Sequence, residues 1–295
     1  MPNLVVPFTK MNGAGNDFVV LDNRFLFFSD DELVALAQHY CPRRTGVGAD
    51  GLLALNAPED DGADYRMRYV NADGSWARMC GNGARCLARF ARTAGIGEGE
   101  GTATLTFDSD AGRYTAAVPE RVDADVRLHV PPPRDYGLRT LADGTEVPYV
   151  WTGTDHAVVF VDDLDAVDVA TRGAAIRHDP AFAPAGANAN FVEVNPKWAR
   201  AKVGNVRVRT FEKGVEGETL ACGTGALAAA VASHLARHVQ ATWIDVAMPG
   251  GKLKVTFQRG GAAEHSGIQA LTLSGPAETV YQGTLDVNVA TLRPA

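Results

Sequence analysis

Residues 225–236, Gly-Ala-Leu-Ala-Ala-Ala-Val-Ala-Ser-His-Leu-Ala, constrain the fold of this chain more than any other segment. Alanine and leucine favour a helix, but a helix apolar on nearly every face has no side to turn toward water and needs cover all round. Small side chains let strands approach closely about it. The expected architecture is therefore α/β (α+β), a curved, largely antiparallel sheet wrapped around a central helix. The helix is introduced by Cys222-Gly-Thr-Gly-Ala226, and the same Cys-Gly-x-Gly-Ala frame occurs at Cys80-Gly-Asn-Gly-Ala84, 142 residues earlier in a chain of 295. Two copies at about half-chain spacing imply a duplicated fold, each half offering one thiol.

The elements either side of the cysteines support two similar halves. Ser29-Asp30-Asp31-Glu32 has capping-box spacing, with Leu33, Leu36, Ala37 and Tyr40 following at helical intervals. The runs 4–8, 18–21, 52–55 and 65–70 read as strands, and 83–93 as a helix that Gly95 ends. Segments 102–107, 113–118 and 126–130 read as a meander, and Pro131-Pro132-Pro133 marks a boundary. Beyond it the order repeats: a strand at 156–161, a helix around 164–176 led by Asp162 and Asp163, and strands at 191–194 and 206–211 before Cys222. Asn190-Phe-Val resembles Asp17-Phe-Val. Strands at 243–248, 253–257 and 270–273 follow, and 278–287 is placed to return to the first half. The expected domains are 1–131, completed by 277–295, and 132–276.

Composition excludes several function classes. Net charge is −7 with acidic and basic residues mixed along the chain, which argues against a nucleic-acid partner or a polybasic membrane anchor. There is no signal-peptide pattern and no apolar run long enough to span a bilayer, so the expected location is cytoplasmic. Four cysteines, Cys41, Cys80, Cys86 and Cys222, make no disulfide framework, and no Cys-x-x-Cys or clustered histidine suggests a metal. Cys41 and Cys86 have no counterpart in the other half and read as buried small hydrophobes.

A helix N-terminus carries unpaired N–H groups and the positive end of the macrodipole. It lowers the pKa of a thiol there and binds a carboxylate. If two such turns face one another, a bound α-carboxylate has its α-carbon between two sulfurs. One thiolate then removes the α-proton and the opposite thiol returns a proton to the other face, inverting the centre without a cofactor.

The segments Gly13-Ala-Gly-Asn-Asp-Phe-Val-Val20, Asn71-Ala-Asp-Gly-Ser75, Met79-Cys-Gly-Asn-Gly-Ala-Arg-Cys86 and Glu212-Lys-Gly-Val-Glu-Gly-Glu-Thr-Leu-Ala-Cys-Gly-Thr-Gly-Ala226, in this order, resemble the diaminopimelate epimerase family along essentially the whole chain. The resemblance implies two pseudo-symmetric domains with the site in a cleft. It also implies a cofactor-independent isomerase acting on LL- and meso-2,6-diaminopimelate, in lysine and peptidoglycan precursor biosynthesis. It makes Cys80 and Cys222 the acid/base thiols, with Gly81, Asn82, Gly223 and Thr224 donating N–H groups to the α-carboxylate. Asn16, Asn71 and Asn188 match substrate-binding amides, and His156 and Glu212 match groups that exchange protons with the thiols. Three positions depart from the family pattern: Thr154-Asp155 precede His156 in place of Asn-Pro, Lys213 stands for arginine, and Gly51 stands where some members have glutamine. Lysine keeps the charge of arginine without its bidentate fork, so Lys213 is expected to serve substrate binding through charge. The expected partners are a small-molecule amino-acid substrate and a second copy of the chain in a homodimer, with no metal, no nucleic acid and no membrane. Two alternatives remain: a proline or hydroxyproline racemase of the same fold, and a thiol-redox or binding protein.

Overall fold

The computed structural model describes residues 4–195, 200–260, 267–288 and 292. It divides into two units, one of Met1–Leu128 with Gly275–Ala295 and one of His129–Ser274. The last residues of the expected C-terminal segment, apart from Leu292, lie outside the described residues.

In the first unit the elements are β1 (Leu4–Gly13), β2 (Asn16–Asp22), α1 (Asp30–Tyr40), β3 (Gly51–Asn56), β4 (Tyr65–Asn71), α2 (Gly81–Thr93), β5 (Thr102–Ser109) and β6 (Gly112–Pro119). Strand β7 (Val126–His129) runs across the boundary between the units. The second unit contains β8 (Arg134–Thr140), β9 (Glu146–Trp151), β10 (Asp155–Phe160), α3 (Val169–Arg177), β11 (Asn188–Val194), β12 (Gly204–Glu212), β13 (Gly217–Thr219), α4 (Gly223–Leu235), β14 (Trp243–Met248), β15 (Gly251–Arg259) and β16 (Ile268–Gly275). The chain then returns to the first unit as β17 (Glu278–Val287), antiparallel to β1.

The two units share one pairing pattern. From β1 to β6 the pairings run antiparallel, parallel, antiparallel, parallel, antiparallel. From β9 through β10, β11, β12 and β14 to β15 the sequence of pairings is the same. The pairing in each unit is thus largely antiparallel, with two parallel pairs set into it. The parallel pairs fall where a helix intervenes, because parallel neighbours need a crossover and a hairpin cannot supply one. Within 102–130, β5 and β6 form the expected antiparallel hairpin, and β5 also pairs in parallel with β4 across α2. The pattern matches β2 with β10, β3 with β11 and β4 with β12. The Asn190-Phe-Val segment on β11 therefore corresponds to β3, and its likeness to Asp17-Phe-Val on β2 is not part of the duplication.

Helix α1 starts where its capping box lies, with Ser29 N–H donating to Glu32 Oε2 at 2.8 Å and Glu32 N–H to Ser29 Oγ at 3.4 Å. It covers one face of the first sheet, where Val19, Leu21, Leu33, Leu36, Leu52 and Ala54 form a core. Helix α3 begins later than its sequence suggests. Asp168 is the residue that caps it, through Thr171 N–H, while Asp163 accepts from Asp165 and Ala166 N–H in a preceding turn. Helices α2 and α4 lie on the opposite faces, and α4 is buried continuously from Gly225 to Ser233, as its composition requires.

Both buried helices have glycine in the first turn, but the two positions differ. A Cβ at Gly225 would lie 2.5 Å from Asn190 Oδ1 and 3.2 Å from Thr210 Oγ1, whereas one at Gly83 would meet only the side chains of Leu53 at 3.2 Å and Phe18 at 3.5 Å. Gly225→Ala should lose about 1–3 kcal/mol in urea unfolding because it displaces buried hydrogen-bonding groups. In Gly83→Ala a helix-propensity gain of about 1 kcal/mol offsets modest crowding, and the midpoint should stay near wild type. Equal losses in the two variants would contradict this packing.

Candidate functional site

The duplication gathers polar residues at one edge of each sheet. In the first unit Asn16 opens β2, Gly51 opens β3, Asn71 closes β4, and Cys80 precedes α2. Gly51 lies opposite both Phe18 and Asn71 in the ladders. At the matching places of the second unit, Asp155 and His156 open β10, Asn188 opens β11, Glu212 closes β12, and Cys222 precedes α4. Each helix N-terminus touches the same edge of its own sheet. A Cβ on Gly13 would meet Asn82 O at 2.9 Å, and Thr152 Oγ1 donates to Thr224 O at 2.9 Å.

The two cysteines are equivalent in local geometry. Each is the N-cap of its helix in an extended conformation, Cys80 at φ −137°, ψ 119° and Cys222 at φ −112°, ψ 109°. Cys80 Sγ accepts from Gly83 N–H at 3.4 Å, and Cys222 Sγ from Gly225 N–H at 3.3 Å. Bound in this way, each sulfur takes the third N–H of its helix, and the N–H groups of Gly81 and Asn82, or of Gly223 and Thr224, point off the helix end where an anion binds. Thr224 Oγ1 lies 3.4 Å from Cys222 Sγ, so its side chain engages the thiol as well.

The surroundings differ. In the first unit Asn82 Nδ2 donates to Asn16 Oδ1 at 2.5 Å, and Asn16 Nδ2 donates to Asp50 Oδ2 at 2.9 Å. Arg43 then bridges Asp50 and Asp17. Asn82, Asn16, Asp50, Arg43 and Asp17 thus form one connected group that begins on the Cys80 turn. Asn71 makes a separate contact, donating to Ser75 Oγ at 3.0 Å within its own turn. Gly51 has a packing reason for its lack of a side chain: a Cβ there would lie 2.5 Å from Val70 O.

In the second unit His156 is fully buried, and Asn190 Nδ2 donates to its Nδ1 at 3.0 Å, which leaves the ring proton on Nε2. That Nε2 is buried with no hydrogen-bond partner among the described residues. Asn190 Oδ1 accepts from Thr210 Oγ1 at 3.0 Å, and both groups face Gly225 beneath Cys222. Asn188 accepts from Lys213 N–H at 2.7 Å and donates to Asp155 O at 3.3 Å. The Lys213 ammonium is 3.2 Å from Asp155, which also accepts from Tyr149 OH at 2.7 Å. The charge of Lys213 is therefore met within the chain by Asp155. Burial pushes the Glu212 carboxyl above its ordinary pKa, and the nearby Thr219 hydroxyl, outside hydrogen-bonding geometry, offsets this only in part. Burial likewise pushes His156 down to about 3, so the imidazole stays neutral at physiological pH.

Sequence reasoning did not single out Asn190, Thr210, Asp50 or Arg85. Asn190 had a signal: it lies two residues beyond Asn188 in a strand, hence on the same face, and a buried asparagine there needs partners.

A family model described as diaminopimelate epimerase matches residues 8–128 and 149–277. The chain is 41% identical to the diaminopimelate epimerase of Chlorobaculum tepidum, over 93% of this chain and 99% of the relative. It is 37% identical to that of Aquifex aeolicus, over 96% and 98%. Among solved structures, a PhzF-family phenazine biosynthesis protein of Bacillus anthracis aligns with TM-score 0.70 at 17% identity, covering 96% of this chain and 99% of that one. A hydroxyproline epimerase of Agrobacterium vitis with bound trans-4-hydroxy-L-proline gives 0.69 at 16%, over 97% and 92%. At such identities these two likenesses speak to the fold alone.

The buried imidazole leaves a pH signature. Its folded pKa lies below its unfolded value of about 6.5, so its contribution is fully present above that pH and is lost as pH falls toward about 3, where the folded state also takes up the proton. Relative to His156→Gln, the wild type should lose up to about 1.4 kcal/mol per pH unit as urea unfolding is repeated from pH 7 down to 5. A difference between the two proteins that does not change with pH would mean that the folded imidazole accepts its proton normally.

Proposed function

Because the chain belongs to the diaminopimelate epimerase family, we propose that it interconverts LL- and meso-2,6-diaminopimelate by proton transfer between two thiols at one α-carbon. The observation that carries this reading is the equivalence of Cys80 and Cys222: thiol N-caps of buried helices at matching places in a duplicated fold. Two acid/base groups of the same kind suit a reaction whose substrate and product differ only in the configuration of one carbon.

In the proposed sequence, the N–H groups of Gly81, Asn82, Gly223 and Thr224 hold the α-carboxylate. One cysteine thiolate removes the α-proton, and charge spreads into the carboxylate, where the helix ends stabilise it most. The other cysteine, as a thiol, delivers its proton to the opposite face. The enzyme is left with the two protonation states exchanged. His156 and Glu212 restore them. The Glu212 carboxyl, its pKa raised by burial, is the better suited of the two to exchange a proton, while the neutral imidazole of His156 offers its Nε2–H as a hydrogen-bond donor. Asn16, Asn71 and Asn188 offer amides to the far end of the substrate, which carries an ammonium and a carboxylate. Lys213 supports Asn188 through its backbone N–H and holds Asp155 through its ammonium.

The chemistry needs no cofactor. The reaction belongs to lysine and peptidoglycan precursor synthesis, and we place it in the cytoplasm with the enzyme as a homodimer. Among the described residues no helix is long and apolar enough to cross a membrane.

Purified protein incubated with LL-diaminopimelate and a thiol reductant should form the meso isomer, read by chiral chromatography. Activity should survive a metal chelator and be lost reversibly on oxidation. Turnover of L-proline or trans-4-hydroxy-L-proline in place of diaminopimelate would assign the chain to the racemase alternative.

A further inference from the structure

Arg85 is a buried charge to which the mechanism gives no role. It sits in the second turn of α2 and is 0% exposed. Its guanidinium donates to Asn82 Oδ1 at 2.8 Å, Gly81 O at 3.3 Å and Pro276 O at 3.4 Å, all neutral acceptors. Among the described residues it makes no ion pair. The sheet face under the first turn of α2 presents Phe18 and Leu53, and strand alternation continues that face with Met11, Val20 and Leu55. Lys10 points to the other side, toward Asp17. A cation taken out of water without a counter-charge is costly, so its retention requires an anion close by.

Three groups favour its charge electrostatically: Cys86 first, then Cys80, then Asp125. Cys86 is ruled out as the standing anion, because burial pushes its thiol up to about 12, with Glu278 adding to that shift. Arg89, one turn further along α2, donates to Pro119 and Ala124 carbonyls. Asp125 contributes least of the three, and Cys80, whose turn is held by the Arg85 bond to Gly81 O, is the one that lies within the site.

The second unit has no arginine at the matching place of its helix. Five residues after Cys222 stands Leu227 where Arg85 follows Cys80. Beneath the Cys222 turn lies the uncharged network of His156, Asn190 and Thr210, with the Thr224 hydroxyl at the sulfur. The Lys213 ammonium at the same strand edge is paired with Asp155.

We infer that Arg85 is a positioning residue that makes Cys80 the more acidic of the two thiols, so that the resting enzyme carries a thiolate at Cys80 and a thiol at Cys222. This rests on the two-thiol reading and deepens it. A two-base reaction needs one group deprotonated and the other protonated, and the asymmetry sets that state before substrate arrives. Arg85 does so through its charge and through the Gly81 carbonyl and Asn82 amide that it holds.

The test is iodoacetamide alkylation of the whole protein across pH 5–10, read separately at Cys80 and Cys222 by peptide mass spectrometry; these pH limits bracket the usual thiol range of about 8.5. In the wild type the Cys80 midpoint should lie below that of Cys222 by about one pH unit, a tenfold difference in thiolate fraction near neutrality. Arg85→Leu should raise the Cys80 midpoint and leave that of Cys222 unchanged, whereas Arg85→Lys should keep most of the difference. Cys41 and Cys86, both buried and pushed up to about 12, are internal controls that stay unlabelled near neutrality. Coincident midpoints in the wild type overturn the proposal without any variant having to fold, as does an unshifted Cys80 in folded Arg85→Leu. Coincident midpoints in an active epimerase would leave the function standing. Separated midpoints in a protein without epimerase activity would instead reject the function.

Discussion

A thiol that caps a helix is the arrangement on which the rest of this structure depends. The cap takes one backbone N–H for the sulfur and leaves the preceding two directed off the helix end, so the proposed acid/base group and carboxylate donors come from three consecutive residues. For this to be rigid the helix must not roll. Burial of α2 and α4 against their sheets provides that, and their small side chains let the sheet edge reach the first turn. Gly13 against Asn82, and Thr152 and Asn190 against the first turn of α4, are where that contact is made.

Duplication supplies the second thiol, but the halves have diverged in charge. Their strand pairings repeat in order and sense, and both cysteines share one backbone geometry. The first unit surrounds its cysteine with Arg85, Asn82 and Asn16, and the second with a neutral imidazole, a buried amide and a hydroxyl. A reaction that exchanges a proton between two like groups is helped by equivalence of position and by inequality of resting charge. Asp155 and Lys213, at two of the positions where the resemblance is broken, meet each other in an ion pair.

The features legible in the sequence were those set by local chemistry. The Ser29 and Glu32 pair announced α1 because capping acts within four residues, and alanine composition announced the burial of α4 because no face of it tolerates water. The repeated Cys-Gly-x-Gly-Ala frame announced both helix openings. What stayed hidden depends on contacts distant in sequence. The parallel pairings of β4 with β5 and β12 with β14 follow from where crossovers return. Asn190 gains its role only when β10 and α4 enclose it. Asp168 outcompetes Asp163 as a cap through geometry that both sequences allow. Arg85 reads as an ordinary surface residue of an amphipathic helix until its burial is seen.

The central claim is that Cys80 and Cys222 act on opposite faces of one carbon. Its most direct test is α-deuterium incorporation in heavy water by Cys80→Ala and Cys222→Ala, with LL and meso substrate separately and the double variant as control. Each single variant should fail to epimerise and should exchange the α-hydrogen of one isomer only, with opposite preferences in the two. Substantial epimerisation by either single variant, or the same isomer preference in both, would contradict the two-thiol account.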